Sequence, residues 1–470
     1  MLRSYSHNAT KVTNLIHAGG RLQQCYKIHI PPWRPASPLD EWVAKDARPI
    51  SLRQLMVFGR SLTEARLISS ANYVRTELPT RSIYFSSTPS ISCIDKSNRL
   101  AHRIRDMQTL PYVVVTNPHM SQVYELYYKA FESFRRVREI KTLDDNERLC
   151  KVISSTLQEH LTVIPKLAMG VLECRDLMNP SDMDKFMNTI LRSRISRRVI
   201  AEQHLALTET FHSHSHFPDG KPVEAEFVGE VFLRCNAKEV VERVGREVQA
   251  LMSATYGPST IMPEIRLAGH LEATFPYILS HLEYIIGELL RNSIQAVVEK
   301  QRTGRNMNKP PPPIDVTVCE APQHVIIRVS DQGGGIPRDI LPYLWAFSKG
   351  PRSNQRLENL NQVPKMAATM QELRVTDEAL PGLQGSAETI GNQGPSSTST
   401  HETSLSSLTS RPPNLRLGMG LPLSRVYAEY WAGSLEMHSL EGYGCDAFLQ
   451  ISKLGNKNEQ LTMRASMDAI

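Results

Sequence analysis

No run of about 18 uninterrupted apolar residues occurs in this 470-residue chain, so nothing in it reads as a membrane-spanning helix. The seven cysteines, at 25, 93, 150, 174, 235, 319 and 445, are scattered and form no CxxC pair. An odd, dispersed set excludes a disulfide framework and a cysteine-rich zinc module, and it suits a reducing compartment. Aromatic residues are few, at 7%, and no basic run is interleaved with them. The net charge of +6 therefore carries no nucleic-acid signature. Two common phosphate-site signatures are also missing. The chain has no GxxxxGK followed by Ser or Thr, and no paired HRD and DFG motifs.

Acidic residues are absent before Asp40, whereas Arg3, Lys11, Arg21, Lys27 and Arg34 fall in the same stretch. A basic, acid-free start without a long apolar core is the pattern of a mitochondrial transit peptide, expected over 1–39. From 45 to 254 the periodicity is helical. Leu52, Leu55, Met56 and Phe58 open it, Val123, Leu126, Tyr127, Ala130 and Phe131 continue it, and Ile153, Leu157, Leu161, Ile164 and Leu167 repeat the stripe. Phe186, Ile190, Ile195, Val199 and Ile200 form a further stripe, and the set predicts an antiparallel helical bundle with ordinary core packing. Residues 82–98, rich in Ser and β-branched types, interrupt the pattern and read as an insertion or a retained intron.

After 255 the pattern changes to α/β, giving an α+β chain overall. A helix is expected over 273–296, strands over 315–319 and 324–329, then a helix to Tyr430 and strands over 434–438 and 446–451. Between them, 351–414 loses periodicity; its low-complexity part, 391–413, has a disordered composition. A short tail covers 456–470.

Three stretches carry chemistry. Residues 288–292 (ELLRN) place Glu288 and Asn292 on one helical face, four apart. A carboxylate there can accept a proton from a hydroxyl, and an amide oxygen can ligate Mg²⁺, which keeps most of its water and phosphate ligands. Alone, the same residues would be a solvated Glu and a surface Asn. Residues 331–337 (DQGGGIP) follow a strand. Asp331 offers an acceptor-only carboxylate for an exocyclic amine such as that of adenine, and Gly333, Gly334 and Gly335 allow close backbone approach. Most such turns are only turns. Residues 418–422 (GMGLP) open a helix whose free N–H groups would face phosphates, although ordinary helix starts also carry glycine.

In this order the three stretches resemble the N, G1 and G2 boxes of the ATPase and kinase superfamily shared by gyrase, heat-shock chaperones, MutL and histidine kinases (GHKL). The 351–414 insertion lies where that superfamily has its ATP lid. Within the superfamily, LAHRI at 100–104, LPY at 110–112, NP at 117–118, LAMGVLE at 167–173, SRI at 193–195, EQHLAL at 202–207 and EGYG at 441–444 resemble mitochondrial 2-oxo-acid dehydrogenase kinases. These comprise the pyruvate and branched-chain types, and the resemblance spans roughly 50–455.

It implies a helical domain followed by a GHKL α/β sandwich over 255–455, with ATP and Mg²⁺ used to phosphorylate serine on the decarboxylase α subunit. It also implies a homodimer in the mitochondrial matrix, docked on lipoyl domains of the acyltransferase core. By resemblance Glu288 is the general base and Asn292 the Mg²⁺ ligand. Asp331, Gly333, Gly335, Ile336, Gly418, Met419, Gly420 and Leu421 contact nucleotide, and His160, Arg194 and Arg198 line an acid-binding regulatory pocket. For those last three a plain helix-surface ion pair is the competing reading. Tyr284 stands where pyruvate-type kinases carry His, Cys445 where the family usually has Thr, and the tail after Leu454 lacks an Asp-Trp motif. These departures leave open which complex is the substrate. Two other readings stay in view: a histidine autokinase using His204, and an ATP-binding scaffold without transferase activity.

Overall fold

The computed structural model describes residues 52–59, 62–78, 100–216, 227–303, 310–362 and 416–453. The expected leader, the 82–98 insertion, the 391–413 stretch and the 456–470 tail lie outside the described residues. The first part is helical: α1 Leu52–Gly59, α2 Glu64–Glu77, α3 Leu100–Gln108, α4 Tyr112–Val115, α5 Pro118–Arg135, α6 Leu143–Glu159, α7 Val163–Glu173 and the long α8 Pro180–His216. Caps set several of these starts. Asn117 accepts from the N–H groups of His119 and Met120 with Pro118 at the first turn, and Thr142 with Asp145 forms a reciprocal box at the start of α6. The expected stripes face inward. Leu52, Leu55, Val123, Tyr127, Phe131, Ile153, Leu167, Ile190, Ile195 and Val199 are all buried.

The second part is built on a five-stranded sheet of order β3-β5-β6-β8-β7, where β3 is Ile265–Gly269, β5 Ile314–Glu320, β6 His324–Asp331, β7 Ser434–Leu440 and β8 Gly444–Ser452. Only the β3–β5 pair is parallel. Helices α9 (Ala237–Tyr256), α10 (Leu279–Thr303) and α12 (Gly420–Tyr430) form the covering layer; α10 packs on α9, α12 and β6, and α12 on β7 and β8. The short helix α11, Ser353–Gln362, packs instead on α7. Alternation explains the sheet's inner face, since Ile314, Val316 and Val318 of β5 and Val325, Ile327 and Val329 of β6 point the same way and are buried.

Two sequence expectations need correction. The helix expected over 273–296 begins six residues late, because Thr274–Ile278 is a strand, β4, and α10 starts at Leu279. Pro276 explains this: it disfavours a helix interior but is tolerated on an edge strand, and β4 lies at the edge of a small sheet of order β1-β2-β4 (β1 Phe227–Val228, β2 Val231–Asn236). The helical pattern expected to 254 also contains β1 and β2, and its last helix, α9, packs against α10 of the sheet part. Helical periodicity shows which face of α9 is buried, not which neighbour buries it.

Candidate active site

The site is assembled from three elements with different periodicities. On α10, the apolar positions Leu282, Ile285, Ile286, Leu289, Leu290, Ile294, Val297 and Val298 are buried. That stripe fixes the rotation of the helix, and the rotation carries Glu288 inward with it: its side chain is 0% exposed. Asn292, four residues on, is partly exposed and lines the same cleft. Arg291 Nη1 lies 4.0 Å from Glu288 Oε1, so the buried carboxylate has a buried cation near it.

Strand β6 supplies the second element. Its buried parity runs Val325, Ile327, Val329 and then Asp331, so the pleat that builds the core also turns the carboxylate toward α10. Ser293 Oγ donates to Asp331 Oδ2 at 3.0 Å, and Gly333 N–H donates to Oδ1 at 2.8 Å. The Cys445 N–H also donates to the carboxylate, which leaves one of its roughly four acceptor positions for a ligand. Burial pushes the Asp331 carboxyl above the ordinary range, and the Gly333 and Ser293 hydrogen bonds work against that. The glycines behind it are needed on geometric grounds. Gly335 adopts φ +76, and a Cβ there would meet Leu440 O at 2.3 Å, while a Cβ at Gly333 would meet the Ala296 Cβ at 2.4 Å.

The third element is the loop into α12. Gly418 adopts φ +68, and a Cβ on Gly420 would sit 1.9 Å from Glu288 Oε2. The glycine therefore lets the helix start come directly against the carboxylate. Met419 is buried as the N-cap residue of α12 and does not face the cleft.

These elements enclose a cleft of about 650 Å³. Glu288, Asn292, Asp331, Gly333, Gly335 and Ile336 line it, as do Gly418, Gly420 and Leu421. Of the nucleotide positions expected from sequence, Met419 alone stands off this surface. The cleft has an acceptor at Asp331 and, against Glu288, the N-terminus of α12. This suits a base at the first and phosphates at the second.

Sequence reasoning missed Ser293, Ser439, whose Oγ accepts from Ile336 N–H at 2.6 Å, and the cationic side chains Arg352 and Arg356 at the cleft wall. Nothing in their local spacing marks them. Cys445 also lines the cleft, its Sγ 3.6 Å from Ser439 Oγ and its thiol pushed up by burial.

His160, Arg194 and Arg198 come together away from this cleft, around a cavity of about 40 Å³ that Arg197 also lines. Arg194 Nη2 donates to His160 O at 3.3 Å, and Arg198 pairs with Glu202 at 2.7 Å. Burial, reinforced by Arg197 and Arg194, pushes the His160 imidazole down to about 3. The three residues thus share a small cavity, and one of them, Arg198, also makes an ion pair. His204 is 1% exposed, with its ring nitrogens held by Ser70 and Asn146.

Two family models match the chain. One, for mitochondrial branched-chain alpha-ketoacid dehydrogenase kinase, covers residues 49–84 and 91–232; the other, for histidine kinase-, DNA gyrase B- and HSP90-like ATPases, covers 278–454. A relative from Saccharomyces cerevisiae, named pyruvate dehydrogenase (acetyl-transferring) kinase 2, mitochondrial, is 32% identical over 453 residues, 90% of this chain and 86% of the relative. One from Arabidopsis thaliana named pyruvate dehydrogenase (acetyl-transferring) kinase, mitochondrial, is 28% identical over 90% of this chain and 94% of the relative. One of the same name from Drosophila melanogaster is 25% identical over 91% and 86%. With the acceptor-ended cleft and both matches in place, the chain belongs to the mitochondrial 2-oxo-acid dehydrogenase kinase family, protein kinases whose ATP-binding domain is of the GHKL type.

Proposed function

We propose that this kinase transfers the γ-phosphoryl group of ATP to a serine on the decarboxylase α subunit of a mitochondrial 2-oxo-acid dehydrogenase complex, inactivating it. One observation carries the reading: the buried Glu288 carboxylate lies against Gly420 in the cleft that Asn292 and Asp331 also line. In the reaction the serine hydroxyl gives its proton to Glu288, its Oγ bonds to the γ-phosphorus, and the bond from that phosphorus to the bridging oxygen breaks, releasing ADP. Asp331 accepts from the adenine amine, and the N–H groups opening α12 face the phosphates.

The residues present fit Mg²⁺. Among the described residues no group of three or more His, Cys, Asp or Glu is arranged to hold a metal. A small hard cation here would be held by Asn292, phosphate oxygens and water, the ligand set Mg²⁺ favours. When bound, it neutralises phosphate charge.

The named relatives act on pyruvate dehydrogenase, so we take that complex as the first substrate and the branched-chain complex as the second. Location in the mitochondrial matrix, a homodimer and docking on lipoyl domains belong to the same proposal. So does an acid effector at the His160, Arg194 and Arg198 cavity, where Arg194 Nε and Nη1 are buried without a hydrogen-bond partner among the described residues.

The test uses purified protein, MgATP and each complex. Phosphoserine on an α subunit is expected, with Glu288→Gln lowering turnover by roughly 10²–10⁴-fold while nucleotide still binds. Nucleotide binding without transfer to either complex would select the scaffold reading, and acid-labile phosphate on the kinase itself would select the autokinase.

A further inference from the structure

The cations on the wall of the nucleotide cleft differ in what holds them. Arg291 faces Glu288, Lys300 donates to Gln332 O at 2.8 Å and Tyr443 O at 3.2 Å, and Arg416 is paired with Glu299. Arg352 is exposed at the rim. Arg356 is unlike these. Its Nη1 is buried with no hydrogen-bond partner among the described residues, and it makes no ion pair within 4.0 Å there. Burial lowers its guanidinium below the usual arginine range, and the Asp184 carboxylate, beyond ion-pair distance, offsets only part of that.

Its position is also particular. A Cβ on Gly418 would lie 2.1 Å from Arg356 Nε, and a Cβ on Gly420 would lie 1.9 Å from Glu288 Oε2. The guanidinium and the base therefore lie against the same three-residue loop, at residues two apart, no more than roughly 7 Å along the backbone. This is the end of the cleft where the α12 N–H groups converge. A planar fork of donors beside a glycine of positive φ matches what phosphate oxygens accept.

The helix that carries Arg356 is fixed from the other side by the helical part of the molecule. Arg175 Nη2, just beyond α7, donates to Asn354 Oδ1 at 2.7 Å, and Asp184 Oδ1 of α8 accepts from Phe347 N–H at 2.9 Å. The guanidinium is therefore presented by an element anchored outside the sheet.

We propose that Arg356 is a catalytic residue of the phosphoryl transfer, donating to the γ-phosphoryl oxygens of ATP as charge develops on them, and that it discriminates ATP from ADP. This rests on the ATP-dependent kinase reading. Arg356 exchanges no proton and forms no covalent bond, so the balance of the step is unchanged; it supplies positive charge where the transferring group needs it.

The experiment compares full-length wild type, Arg356→Ala and Arg356→Lys. It measures turnover on the dehydrogenase complex, and binding of ADP and of a non-hydrolysable ATP analogue. For Arg356→Ala, turnover should fall roughly 10²–10³-fold. Analogue affinity should fall about tenfold while ADP affinity changes less than about twofold, and Arg356→Lys should recover part of both losses. Thermal melts establish that the variants fold. Turnover within about twofold of wild type in Arg356→Ala, or equal loss of ADP and analogue binding, overturns the proposal. If the wild type transfers phosphate to neither complex, the kinase reading and the catalytic role fail together. Selective loss of analogue binding in Arg356→Ala would then still support the γ-phosphate contact.

Discussion

Asp331 is held by Ser293, Gly333 and the Cys445 backbone before any ligand arrives, and the consequence is directional. Ser293 and the Gly333 N–H each occupy one carboxylate oxygen, which fixes the side chain with its remaining acceptor position toward the cleft. An amide of the same shape cannot serve. Asn at 331 can keep the Gly333 N–H bond by turning its N–H₂ group to Ser293 Oγ, which can accept, but it then presents a donor to the cleft on that side and offers one acceptor oxygen where a carboxylate offers two. A mismatched buried donor costs about 1–3 kcal/mol, so Asp331→Asn should weaken ATP binding roughly 10- to 100-fold. Titration calorimetry with ATP reads this directly, and an unchanged affinity would remove Asp331 from base recognition. The place of Asp331 in the cleft was legible because strand parity, the following glycines and an acceptor-only side chain all lie within one short stretch. Ser293 was not, since its partner is 38 residues away and a serine in a helix interior carries no sign of what it faces.

At the scale of elements, legibility followed periodicity. The sequence pattern places β5 to β8 close to their true limits; β5 and β6 alternate cleanly with one face buried, whereas β7 has one buried residue and β8 alternates only in part. Strand β4 was taken for helix because it runs straight into α10, and only Pro276 marks the junction. Strands β1 and β2 were missed because they are short and their burial does not alternate. The packing of α9 on α10 was invisible for a different reason: it is a choice between two apolar neighbours, which one helix's pattern does not encode. The contact between α10 and the start of α12 shows how tightly two such elements meet. Gly420 is the position where they touch through Glu288. A methyl group there must displace a carboxylate that is 0% exposed, so Gly420→Ala should cost about 1–3 kcal/mol of stability by overpacking. It should also lower turnover at least tenfold by moving the base. Loss of both in one variant, by thermal melt and kinase assay, is expected; normal turnover would mean that Glu288 has room to move and that the approach is not a catalytic constraint.

Across the whole molecule, the buried His204 and His281 and the half-buried His160 link stability to pH. His160 lies between α6 and α8, His204 between α8 and its neighbours Ser70 and Asn146, and His281 on α10 accepts from Trp431 Nε1 at 3.0 Å through Nδ1. Burial is the first cause in each case, and it pushes the imidazoles down to about 3, about 4 and about 3. The sign follows from proton counting. Above pH 6.5, the ordinary histidine value, these rings are neutral in both folded and unfolded chains, so they add no pH dependence. As pH falls below that, the unfolded chain takes up protons that the folded chain refuses, and stability is lost until the folded values are reached. At pH 5.5 the loss is about 1.4 kcal/mol for each ring, or about 4 kcal/mol together, a large share of the 5–15 kcal/mol typical of a domain. Most carboxylates contribute little between pH 7.5 and 5.5, because the ordinary range for Asp and Glu lies lower, while Asp106, Glu283 and Asp331, pushed up by burial, act in the opposite direction to the histidines. The three rings are spread over the helical part and the sheet part, so acid should weaken both. The melting temperature is therefore expected to fall between pH 7.5 and pH 5.5. His204→Gln should start from a lower value at pH 7.5, since it disturbs the Ser70 and Asn146 hydrogen bonds, yet lose less than wild type on acidification. A melting temperature that holds steady or rises on going to pH 5.5 would show that these imidazoles take up protons in the native state.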